Sequence, residues 1–234
     1  MKKAFTLAEV LIAITILGVI AAISMPAIMT NIDKNTWANG LKINMSVLNN
    51  GFKQMMAQEG VEDLRDTSLW AKNVSKEVNT SNTEINSAMK KHFKIEKIAS
   101  NWPVKSYKLD KKTAYSNTSI RYYLGNSATI NVRFLYDASY NDCAATQLFC
   151  HPVAEIILDV NGDKRPNVIG KDIYFLLLGE NGNIYPFGGD AAANYSSSYK
   201  RWNTTSGCSG KQPTTDGTYC AGRVADENFS INYN

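Results

Sequence analysis

The sequence predicts an α+β protein: one long N-terminal helix, then a head built on an antiparallel β-sheet. Three observations carry this. Between Lys3 and Asp33 the only charged side chain is Glu9, and Val10 to Ile23 is apolar on every face. Farther on, Trp37, Leu41, Met45, Leu48, Phe52 and Met55 are spaced by 4, 4, 3, 4 and 3, one stripe of an amphipathic helix. From Trp102 the chain breaks into short β-type runs separated by Gly-Asn and Asn-Gly turn signals.

Composition sets the outer limits. The 234 residues carry 25 basic and 21 acidic side chains, a net +4, and Lys2 and Lys3 supply two of those charges. That excess is too small for binding resting on phosphate neutralisation, so no nucleic-acid role is expected for the head. A mean hydropathy of −0.26 excludes a polytopic membrane protein. The length suits one domain, or slightly more.

The first element is the apolar run. Phe5 to Met25 is 21 residues, about 31 Å of helix, which matches a bilayer core of about 30 Å. An apolar surface on all sides marks a segment that spans a membrane or lies inside an assembly. A cleaved secretory signal has a shorter apolar core, and Ser24-Met25-Pro26-Ala27 is a poor cleavage site. A plain signal anchor fits the length but leaves Glu9 unexplained. An acidic residue within a span costs about 2.5–3.5 kcal/mol on insertion scales and needs a partner.

Lys2-Lys3-Ala4-Phe5-Thr6-Leu7-Ala8-Glu9-Val10-Leu11-Ile12 resembles the N-terminus of type IV pilins and type II secretion pseudopilins. The resemblance implies a leader of residues 1–4, removed by a membrane peptidase between Ala4 and Phe5, with N-methylation of the new Phe5 amine. It makes Glu9 the fifth mature residue, which that family requires for assembly. Gly18 and Pro26 extend the likeness, Pro26 standing where many members kink the helix. One position departs: the family usually has Gly before the cut, and this chain has Ala4. Ala is small enough for the same pocket, so slower or equal processing is expected.

Independent physics points the same way. Cutting before Phe5 leaves a positive amine about 6 Å of helix from Glu9. In an apolar filament core both charges are desolvated and expensive unless paired. Parallel subunits with an axial stagger let Glu9 of one meet the Phe5 amine of the next. Gly18 and Ala22 form a small face for close helix approach.

Residues 5–30 thus read as the transmembrane and assembly helix, and 31–60 as its amphipathic continuation, stopping near Gly60. Gly40 and Gly51 weaken this stretch and let it bend. Residues 61–234 form the head. There, 61–100 read as short helices, one from Glu84 to about Phe93 capped by Thr83 or Asn82. Strands are expected at 119–124, 129–136, 154–160, 173–178 and 183–185, and a surface loop over 188–218. The run from Cys220 to Tyr233 resembles the closing helix and strand of a pilin-like subgroup.

Cys143, Cys150, Cys208 and Cys220 are an even set, and in an exported domain they argue for disulfides. Three connectivities are possible; local pairs Cys143–Cys150 and Cys208–Cys220 are expected, the second resembling a disulfide of many pilin C-terminal loops. Free thiols or zinc are alternatives, though no Cys-x-x-Cys exists and His92 and His151 are the only histidines. Asp159, Asn161 and Asp163 place oxygens at alternate positions, as calcium loops do, with Asp172 beyond; these are the candidate metal ligands. Position 12 of an EF-hand would be Gly170, so this is no EF-hand, and Asn-Gly and Pro-Asn form turns without metal. No nucleophile set, phosphate loop or HExxH motif suggests an enzyme.

The expectation is therefore a filament subunit that needs no cofactor, with calcium as an option. It would sit once through the bacterial inner membrane, head outside the cytoplasm, before entering a periplasmic or extracellular filament. Its partners would be the bilayer, prepilin peptidase, inner-membrane assembly machinery and other pilin-like subunits. The alternative is an uncleaved single-pass anchor carrying a binding module, calcium-dependent in one version.

Overall fold

Helix α1 starts at a capping box. The Thr6 side chain accepts from the Glu9 amide at 3.3 Å, and the Thr6 amide donates to Glu9 Oε2 at 2.9 Å. In the computed structural model, which describes residues 6–71, 83–100, 105–116, 120–135, 152–190, 192, 201–204, 207–210 and 216–233, α1 runs unbroken over Leu7–Glu59. That is about 80 Å of helix. Gly60, at φ 68°, ends it in the left-handed conformation and donates its N–H to the Met56 carbonyl.

The first half of α1 is not covered by any of the described residues; every residue from Thr6 to Asp33 is exposed. The second half is packed as its stripe predicts. Leu41, Leu48, Phe52 and Met55 are buried, with Trp37 and Met45 packed at the margin of the same core. Gly40 and Gly51 allow close approach. A Cβ on Gly51 would lie 2.1 Å from the Phe93 ring, and one on Gly40 would lie 2.9 Å from Val160. Between them Asn44 is buried, bonded to the Gly40 carbonyl and to Asn126.

The head is an antiparallel sheet. Strands β1 (Ile95–Ala99), β4 (Arg121–Leu124), β5 (Thr129–Phe134), β6 (Pro152–Asp159), β7 (Ile173–Gly179) and β8 (Ile184–Pro186) lie side by side in that order. A separate pair joins β2 (Ser106–Tyr107) to β3 (Ala114–Tyr115). The register between β5 and β6 pairs Thr129 with Asp159 and Phe134 with Ala154. Period-2 geometry then splits β6 between two cores. Ile156 and Leu158 join Leu41, Leu48 and Phe52, while Ile157 joins Ile169 and Ile173 on the opposite face. Both faces are covered, which is why β6 and β7 read as nearly continuous apolar runs.

Short helices follow α1: a 3-10 turn at Leu64–Asp66, α2 at Ser68–Ala71 and α3 at Thr83–His92. The structure differs from expectation at four places. Residues 95–99 are an edge strand, not part of a helical region, and the pair β2–β3 was absent from the sequence reading. Helix Cys220–Asp226 is present, but the residues after it form no strand. The 188–218 segment is not purely surface among its described residues, since Cys208 and Ala192 are fully buried.

Candidate functional site

The segment expected to drive assembly corresponds to the first half of α1, described from Thr6. Its 14 large apolar side chains from Leu7 to Ile32 are all about half exposed or more. An 18-residue window of α1 has a mean hydropathy of 2.5 with none of it buried, long and apolar enough to cross a membrane. A Cβ on Gly18 would meet nothing within 4 Å, so the small face with Ala22 lies open. The helix continues through Pro26. Proline has no N–H to return to the carbonyl four residues back. Ser24, Thr15, Thr30 and Thr36 each cap a preceding carbonyl with a hydroxyl hydrogen bond at 2.8–2.9 Å. Their polar groups are thereby satisfied inside the helix, as a lipid-facing surface needs.

Glu9 is held by its own chain. Its Oε2 accepts from the Thr6 amide at 2.9 Å and from the Thr6 hydroxyl at 2.8 Å. A carboxylate with two donors at a helix N-terminus, near the positive end of the macrodipole, is far easier to desolvate than a bare one. The capping box was legible as Thr6-x-x-Glu9, a signal the sequence reading did not use. Ala4 and Phe5 lie outside the described residues, as do Cys143 and Cys150.

Cys208 and Cys220 are bonded, with Cα atoms 5.1 Å apart. The bridge belongs to a knot that reaches α1. Arg223 donates to the Cys208 carbonyl at 2.8 Å and lies over the rings of Trp202 and Tyr233. Tyr233 donates its hydroxyl to the Gly170 carbonyl, and its own carbonyl accepts from Lys34 Nζ at 2.7 Å. Tyr233 is thus fastened at the place where α1 leaves the head.

The loop from Asp159 to Asp172 is organised by a residue the sequence reading missed. Arg121, fully buried, donates to Asp159 Oδ2 at 2.7 Å and pairs with Asp163 Oδ1 at 3.1 Å. Its Nε also donates to the Thr129 hydroxyl at 2.6 Å. Asp172 accepts from the backbone amides of Asn167 at 2.8 Å and Val168 at 2.7 Å. Gly162, at φ 69°, makes the turn, and a Cβ there would lie 2.4 Å from the Ser127 carbonyl. Burial raises the Asp159 carboxyl well above the usual range, with Asp172 adding to the rise and Arg121 opposing it. Burial also pushes Asp172 up to about 6.

This donor set does not fit calcium as it stands. A divalent ion between Asp159 and Asp163 would sit against a guanidinium, and Asp172 is occupied by amides. The side-chain oxygen of Asn161 is buried without a partner, but one amide oxygen is far from the six to eight ligands calcium takes. Among the described residues no group of three or more His, Cys, Asp or Glu side chains is placed to hold a metal. The expected metal residues are therefore brought together, and the cation among them is Arg121.

No curated protein and no solved structure matches the chain. Residues 1–25, however, match the family model for the prokaryotic N-terminal methylation motif. The chain therefore carries the prepilin-type motif of type IV pilins and pseudopilins, ahead of a long apolar helix and an antiparallel α+β head.

Proposed function

We propose that the chain is a structural subunit of a type IV pilus or type II secretion-like filament. It is cleaved by prepilin peptidase before Phe5, methylated there, and assembled through residues 5–30. The observation that carries this reading is the division of α1. The half bearing the methylation motif has no buried residue among those described, while the other half buries a stripe of eight against the head. Burying 14 half-exposed large apolar side chains is worth on the order of 20 kcal/mol. Lipid satisfies that surface first, and neighbouring copies of the helix satisfy it afterwards.

Glu9 supplies the register. Before assembly its carboxylate rests on the Thr6 donors. In the filament the methylated Phe5 amine of an adjacent subunit offers a full positive charge instead. A charge pair in an apolar core contributes mainly by penalising every stagger that leaves it unpaired. Glu9→Val should therefore be processed and membrane-inserted like the parent but fail to enter filaments, read by shearing filaments from cells and immunoblotting the membrane and filament fractions. Normal filament entry of that variant would overturn the proposed role of Glu9.

The loop at Asp159 has a structural role in this reading, with Arg121 as its fixed cation. Calcium titration of the full chain in detergent supports that role if no heat is released and no melting shift occurs. A saturable stabilisation would contradict it.

A further inference from the structure

The apolar run of α1 ends close to a cluster of basic residues on the head. Lys34 lies five residues beyond Met29, about 7.5 Å along the axis. The headgroup layer on each side of a bilayer is about 5–8 Å thick, so Lys34 falls at its level. The part of the head packed there includes Tyr233, bonded to Lys34, and Val160, against Gly40. Lys171 is nearby as well. Burial first, then the positive charges of Lys111 and Lys34, push its ammonium down to about 8. By contrast Glu59, at the far end of α1, is about 38 Å away along the helix.

Beside Lys171, a cavity of about 530 Å³ is lined by Lys105, Tyr107, Lys111, Arg165, Pro166 and Asn167, among others. Lys105, Lys111 and Arg165 are exposed. No ion pair joins any of them to a described carboxylate; Lys108, just outside, is paired with Asp216. Asn167 is buried, and its side-chain oxygen has no partner. The backbone holds this mouth rigidly, because Tyr107 donates to the Asn167 carbonyl and Ile169 donates to the Tyr107 carbonyl, both at 2.9 Å.

We infer that this cavity is a docking site for the phosphate of an anionic lipid headgroup, of the phosphatidylglycerol kind, which seats the head on the membrane in the unassembled subunit. The inference rests on the membrane-anchored reading of α1. Three cations at headgroup depth meet the phosphate. Each basic residue near an anionic surface contributes roughly fivefold, so three give about a 100-fold preference for the docked head. Leaving the membrane for a filament then requires giving up this contact.

Hydrogen–deuterium exchange of the full chain in nanodiscs tests it. In discs containing phosphatidylglycerol, amides of segments 105–112 and 163–172 should exchange about tenfold or more slowly than in pure phosphatidylcholine discs. The protection should fade at about 0.5 M salt, where screening shortens to a few ångströms. Lys105→Glu/Lys111→Glu/Arg165→Glu should abolish it, and Lys105→Arg/Lys111→Arg should keep it. Lys90→Glu, on the far end of the head, should leave it unchanged. Equal exchange in both discs, with the chain inserted, overturns the docking and leaves the anchor reading intact. A chain that does not enter either disc overturns both. Protection in phosphatidylcholine discs on adding inorganic phosphate alone would mark a soluble-anion site and overturn the lipid assignment.

Discussion

The two halves of α1 share one unbroken helix and have opposite surroundings. From Thr6 to Asp33 every residue is exposed; from Lys34 to Glu59 a stripe of eight residues is buried against the head. Backbone conformation is the same in both, so helix propensity does not distinguish them. What differs is the angular width of the apolar surface. An all-round apolar helix has no dry side within a small head, so its partner must be lipid or other copies of itself. A narrow stripe is satisfied by one sheet face. Width of pattern thus tells whether a helix finds its partner inside the chain or outside it.

The comparison can be broken by equal substitutions in the two halves. Phe52→Ala should lower head stability by about 3–5 kcal/mol, as large-to-small changes in a packed core do. Ile16→Ala, in the exposed half, should leave the melting temperature of the head unchanged and weaken only assembly. Thermal denaturation of both variants in detergent checks this. A destabilisation by Ile16→Ala as large as that by Phe52→Ala would mean the first half does have a partner in the chain.

The next test concerns the loop that Gly40 contacts. Arg121→Met removes the only described cation bonded to Asp159 and should destabilise the head by about 3 kcal/mol, because it strands a buried carboxylate. Asp172 gives the loop a pH signature. Its folded pKa, about 6, stands above the usual carboxylate value, so the folded state holds the proton longer. Its contribution is favourable at low pH and is lost as pH rises from about 4 to about 6. Measured against Asp172→Asn, the parent head should lose stability across that window. A parent that gains on the variant there would reverse the sign and contradict the burial argument. The smallest effect is at the junction itself. Lys34→Ala removes the hydrogen bond to the Tyr233 carbonyl and should cost about 1 kcal/mol.

Much of this division was legible before the structure. The stripe from Trp37 to Met55 fixed which side of α1 faces the head, and Gly60 marked its end, because period and capping are local signals. Strands β5 to β8 were legible from apolar runs bounded by turns. Residues 95–99 were not. Ile-Glu-Lys-Ile-Ala carries its charges on an edge strand, where solvent removes the alternation that identifies a half-buried strand. Arg121 was also missed, since its partner Asp159 is 38 residues away and only the sheet register brings them together. The acidic loop did carry a hint. Buried carboxylates need a counter-charge, and a basic residue opening a strand was a candidate for it. The packing role of Gly40 and Gly51 was illegible for a related reason: helix propensity is local, whereas the close approach of Val160 and Phe93 is tertiary.

In the proposed reading, cleavage before Phe5 removes residues 1–4 and leaves the first half of α1 as the assembly segment. Mass spectrometry of the N-terminus of the native protein, taken from the membrane of a host carrying prepilin peptidase, tests it directly. The expected chain begins at Phe5 and carries one added methyl group on its amine. A chain still beginning at Met1, or one cut near Ala27, would contradict it.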